Sequence, residues 1–74
     1  MNIQFEQIPM LPNAKYLHFS VLLEGRRVAT AITRKNLCFF FEWEEKILHS
    51  DILVLQEKFA KFLNDFEVQN EQFN

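Results

Sequence analysis

Three kinds of side chain here could do chemistry: the thiol of Cys38, the imidazoles of His18 and His49, and the carboxylates of Glu42, Glu44 and Glu45. A thiol becomes a nucleophile when a nearby cation or base favours its thiolate. Zinc needs three or four thiolate, imidazole or carboxylate ligands converging on one point. Cys38 has no CxxC companion, and both histidines are isolated in the sequence. Cys38 therefore reads as a small buried hydrophobe, and His18 and His49 as structural or surface groups. Nothing in the sequence supports a Cys38–histidine dyad, although folding could bring one together. The three glutamates read as a solvated face, with Glu42 and Lys46 at the favourable i,i+4 spacing for a helix. Gly25 is the sole glycine, so there is no glycine-rich phosphate loop. The expectation is no catalytic residue, no metal, no cofactor and no enzyme.

One charge asymmetry remains. Between Lys15 and Lys35 lie Lys15, Arg26, Arg27, Arg34 and Lys35 against a single acid, Glu24. Arg26, Arg27, Arg34 and Lys35 are the candidate nucleic-acid contacts. In a hairpin the two basic pairs stand roughly 20 Å apart, at about 3.3 Å per residue, too far for one compact phosphate site. The net charge of −2 also argues against nucleic acid or an anionic membrane surface.

The stronger signal is aromatic. A 74-residue chain has room for one small domain, yet it carries nine phenylalanines. Each buried ring removes a large apolar area from water, worth roughly 1.5–3 kcal/mol. The chain is not expected to bury all nine by itself, which leaves some for an interface. Phe39 and Trp43 are the candidate interface residues. They form an aromatic stripe that either lies under the C-terminal helix or makes a dimer or partner surface.

The elements that must position these groups are read from periodicity. Ile3 and Phe5 alternate with polar residues, predicting a short edge strand within 1–6. Pro9 and Pro12 break it, and Met10 and Leu11 are expected to pack over one end of the core. Residues 16–32 read as a β-hairpin with Glu24-Gly25 at the turn, because Gly25 accepts the positive φ that tight hairpins need. That turn sets Leu23 opposite Arg26, Val21 opposite Val28, Phe19 opposite Thr30 and Leu17 opposite Ile32. The predicted buried face is then Leu17, Phe19, Val21, Val28, Thr30 and Ile32. His18, Ser20, Leu22, Arg27, Ala29 and Ala31 make the other face, which is small, semi-polar and open to partial cover.

A helix is expected over 33–48, with Thr33 as N-cap and Leu37, Phe40, Phe41 and Glu44 on one face. Arg34 and Lys35 are unfavourable at the positive end of its dipole. A second helix over 51–68 follows, capped by Ser50 or Asp51. It carries the cleanest stripe in the chain: Ile52, Leu55, Phe59, Phe62, Leu63 and Phe66. Residues 69–74 read as a frayed tail.

Ile3 and Phe5, Phe19 and Val21, Gly25, Val28 and Thr30, then Ile32-Thr33 and Leu37 follow one another in an order that resembles a small bacterial family, domain-of-unknown-function family 1488. The resemblance covers about half the chain. Pro9 and Pro12 in the loop and the Phe39-Phe40-Phe41 run depart from the family pattern. It implies an α+β fold and a bacterial source, and brings no activity or catalytic residues.

The predicted fold is a single α+β domain, with a small antiparallel sheet of two or three strands packed on one face by two C-terminal helices. A lone cysteine excludes an internal disulfide and suits a reducing compartment. Residues 1–10 lack the pattern of a signal peptide, and no apolar run is long enough to span a bilayer. The expectation is a cytoplasmic protein that acts as a protein-interaction or homo-oligomerisation module, with itself or another protein as partner. A weak nucleic-acid-binding module is the alternative.

Overall fold

The structure, a computed structural model, describes residues 1–10, 15–34 and 38–69. Leu11 and Pro12 of the expected loop, Lys35 and Leu37 of the expected first helix, and the tail from Asn70 lie outside those residues. The elements are β1 (Ile3–Ile8), β2 (Leu17–Leu23), β3 (Arg26–Thr33), β4 (Phe39–Trp43) and α1 (His49–Gln69). The strands form one antiparallel sheet in the order β1-β2-β3-β4. The class is α+β, but the count differs from expectation: four strands and one helix replace two or three strands and two helices.

The hairpin turn is tight. Glu24 has φ 53° and Gly25 φ 82°, the pair of positive values that matches strand twist in a two-residue connection. Glu24 also secures β1: its N–H donates to the Asn2 carbonyl (2.8 Å), and its Oε1 accepts from the Asn2 N–H (2.7 Å).

Beyond the turn the register departs from the regular hairpin. Leu23 opposes Arg26 and Leu22 opposes Arg27, but Val21 opposes Ala29, Phe19 opposes Ala31 and Leu17 opposes Thr33. Val28 is the extra residue of a β-bulge. Side chains alternate faces with a period of two, so one added residue exchanges the faces of everything beyond it. Ala29, Ala31 and Thr33 therefore face the helix and are fully buried, while Thr30 and Ile32 face the open side. Val28 itself is also fully buried. Ala29 and Ala31 share one buried core with Leu55, Phe59 and Leu63 of the helix.

In place of the helix expected over 33–48, Thr33, its expected N-cap, ends β3, and Phe39–Trp43 form β4. Phe39, Phe41 and Trp43 are half-buried while Phe40 and Glu42 are exposed, a strand's period of two. Aromatic side chains suit a pleated, half-buried surface, and here β3 offers a ladder to pair with. The Arg34 N–H donating to the Cys38 carbonyl (2.8 Å) closes the connection.

Helix α1 lays its stripe on the sheet. Leu55, Phe59 and Leu63 are fully buried, and Phe62 and Phe66 pack at the margin. Phe59 is the hub, with ring centroids 5.1 Å from Phe5, 5.5 Å from Phe19, 4.9 Å from Phe39 and 5.5 Å from Phe41. The helix starts earlier than Ser50 or Asp51 capping implies. Asp51 and Ile52 both donate backbone N–H groups to the Leu48 carbonyl (2.9 and 3.0 Å), so Leu48 occupies the cap position. Leucine has no side-chain oxygen for the orphan N–H groups there, and Leu48 is exposed. Leu48→Ser is expected to stabilise the fold by about 1 kcal/mol, read as a thermal midpoint raised by about 4–8 °C.

Candidate functional site

The sheet has one face covered by α1 and one open face, and its two edges among the described residues are β1 and β4. The hydrogen-bond phase of the β4 edge follows from two contacts. The Arg34 N–H donates to the Cys38 carbonyl, and the Glu44 N–H donates to the Val28 carbonyl (2.9 Å). Bonded pairs alternate in an antiparallel ladder, so Phe40 and Glu42 bond inward to Ile32 and Thr30. Phe39, Phe41 and Trp43 thus direct their N–H and C=O groups away from the sheet.

The same three residues carry the half-buried aromatic side chains of the covered face. The Phe39 and Phe41 rings lie 5.7 Å apart, and Phe41 and Trp43 5.2 Å apart. Phe39 and Trp43 thus share one row, as the stripe requires, and the row runs along the margin of α1. Among the phenylalanines in the described residues, only Phe40 is more than half exposed, at 51%. The expected aromatic excess is therefore mostly met by the chain's own helix, with its outer margin at β4. Edge strands are usually blunted by proline, lysine or a bulge. β4 has none of these, and its one charge, Glu42, points to the open face.

The open face carries a cross-strand row of Ile8, His18, Ile32 and Phe40. His18 is half-buried there between two isoleucines, while His49 is exposed at the start of α1. Cys38 is exposed rather than buried, because it precedes β4 instead of lying within a packed helix. Cys38, Arg34, Phe39 and Phe40 line a shallow depression. Among the described residues no three His, Cys, Asp or Glu side chains converge as metal ligands. No helix among them is long and apolar enough to cross a membrane.

Of the basic residues, Arg26 and Arg27 stand at one end of β3 and Arg34 just past the other. Arg26 forms a fork with Glu45, Nη2 to Oε1 at 2.6 Å and Nε to Oε2 at 3.3 Å. Arg27 Nε lies 2.9 Å from Glu44 Oε2. Two of the three glutamates read as a solvated face, Glu44 and Glu45, thus pair with the start of β3. The hydrogen bond from Arg26 lowers the Glu45 carboxyl below its ordinary pKa. Its contribution is complete above the ordinary carboxylate range and is lost as pH falls through the lowered value. Arg34 places its guanidinium 5.0 Å over the Tyr16 ring, a cation–π contact. Lys35 lies outside the described residues.

No protein-family model matches the chain, and no curated protein or solved structure is significantly similar to it, so the resemblance to family 1488 is carried by the residues quoted for it alone.

Proposed function

We propose that the chain is a small protein-interaction or homo-oligomerisation module without catalysis, and that β4 is the edge it uses. One observation carries this reading. β4 joins outward-directed backbone groups and half-buried aromatic side chains at the same three residues, with no proline, lysine or bulge within Phe39–Trp43. A strand added there would satisfy the backbone and finish burying the rings, the combination that strand-addition interfaces use.

The test is solution mass by light scattering after size exclusion, at several concentrations, for the parent, Phe39→Ser and Trp43→Ser. The parent is expected above the chain mass, and the serine variants at or near it with helical circular dichroism retained. A parent at the chain mass throughout, or variants that keep the parent's mass, would overturn the reading. Trp43 makes no ring contact to Phe59 of the kind Phe39 makes, so Trp43→Ser is the variant less exposed to unfolding.

The second reading is a nucleic-acid-binding module. The observation in its favour is that Arg34 and the exposed Phe40 line one depression, a cation beside a ring on which a base could stack. It requires salt-dependent binding that weakens when Arg26, Arg27, Arg34 and Lys35 become alanine, and unchanged binding removes it. Arg26 and Arg27 already hold carboxylates, which places this reading second.

A further inference from the structure

We infer that the partner of the β4 edge is a second copy of this chain, joined through antiparallel β4 strands about a two-fold axis at Phe41. This rests on the reading of β4 as an interaction edge and adds to it the partner and the register.

Two copies of one strand paired antiparallel share a two-fold axis, so the residue at the centre fixes every pair. Only registers that oppose outward groups with outward groups form a ladder. For β4 these centre on Phe40, Phe41 or Glu42. Centring on Phe40 leaves Trp43 opposite position 37, beyond the aromatic run. Centring on Glu42 sets two carboxylates directly opposite each other, which is destabilising. Centring on Phe41 opposes Phe39 with the partner's Trp43 and Phe41 with the partner's Phe41. Each of those pairs exchanges both backbone bonds. On the open face Phe40 then meets the partner's Glu42, with no like charges opposed.

A two-fold axis perpendicular to the sheet keeps both helices on one face. The aromatic rows of the two copies meet in the groove between them, so each half-covered ring is closed by its counterpart. The competing edge, β1, directs Ile3, Phe5 and Gln7 outward, because the Glu24–Asn2 bond sets its phase. Its self-pairing would oppose one pair of rings and set Gln7 against isoleucine. The β4 rings offer on the order of 600 Å² of further burial, half the area of three aromatic side chains on each copy. Stable complexes bury about 1,200–2,000 Å². The dimer is accordingly expected to dissociate on dilution.

Disulfide trapping reads the register directly. In a Cys38→Ser background, Phe40→Cys and Glu42→Cys are introduced together and singly; both positions are exposed, so the core is untouched. Non-bonded antiparallel pairs bring Cα atoms to about 4.5 Å, within disulfide reach. The double variant is expected to give a covalent dimer under mild oxidation at concentrations where the parent is dimeric, and neither single variant to do so. If Phe40→Cys alone cross-links, the centre is Phe40; if Glu42→Cys alone does, it is Glu42. Either result overturns the register. Cross-linking of Gln4→Cys with Glu6→Cys instead moves the interface to β1 and overturns the proposal. A dimeric parent that traps in none of these variants also overturns it while the oligomerisation reading stands. A parent that is monomeric throughout removes both.

Discussion

Phe59→Ala is expected to leave the chain largely unfolded at 37 °C. Phe59 is fully buried and its ring meets Phe5, Phe19, Phe39 and Phe41, so one helical side chain joins β1, β2 and β4. The strand between β2 and β4 presents Ala29, Ala31 and Thr33, which are too short to fill the space left behind. Truncating a buried phenylalanine costs about 3–5 kcal/mol, with the higher values where the site cannot collapse. A chain of this length has a total stability on the order of 4–11 kcal/mol, at about 0.05–0.15 kcal/mol per residue. The loss is therefore comparable with the whole. Urea unfolding would show it as a midpoint moved to low denaturant with an unchanged slope. Phe40→Ala, the same deletion on the open face, is expected to change stability by less than about 0.5 kcal/mol. Similar effects from the two variants would mean that α1 does not pack as described.

Ala31→Asp and Ile32→Asp are expected to differ by several kcal/mol, and the bulge at Val28 decides which is worse. In the regular register Ile32 would face the core and Ala31 the open side. In the observed register Ala31 is fully buried opposite Phe19 and Phe41, and Ile32 lies on the open face between His18 and Phe40. A carboxylate at Ala31 would have no cation near it among those rings. An unpaired buried ion costs several kcal/mol even after relaxation. A carboxylate at Ile32 keeps access to water and loses only part of an apolar contact. Thermal unfolding of the two variants settles the order. If Ile32→Asp unfolds and Ala31→Asp does not, the bulge is absent.

Parts of this architecture were legible before the structure, for physical reasons. Glu24-Gly25 flanked by alternating runs marked the hairpin, because positive φ is scarce outside such turns. The α1 stripe was legible because Leu55, Phe59, Phe62, Leu63 and Phe66 fit a period of 3.6 over several turns. The bulge was not. A bulge at valine demands no special residue, and its selection depends on small side chains beneath a helix that arrives later in the sequence. β4 was misread because three consecutive phenylalanines satisfy both periods at once. Leu37, Phe40 and Phe41 sit at helical spacing, while Phe39, Phe41 and Trp43 sit at strand spacing. The pairing of Phe39 with Trp43 survives either assignment, since four residues make about one helical turn and two strand repeats. The ion pairs of Arg26 and Arg27 with Glu45 and Glu44 were hidden, because they depend on β4 running back along β3.

The order β1-β2-β3-β4 has a consequence for how the chain finds this structure. Every strand pairs with its neighbour in sequence, so each ladder closes only a short loop. The entropy lost on closure grows with the logarithm of loop length and is small at each step. No strand waits for a distant partner. The one event that gathers remote parts of the sequence is the docking of α1, when Phe59 meets Phe5 from the first strand and Phe41 from the last. Cooperativity, the quality that makes four local pairings into a single all-or-none transition, is therefore vested in the helix rather than in the sheet.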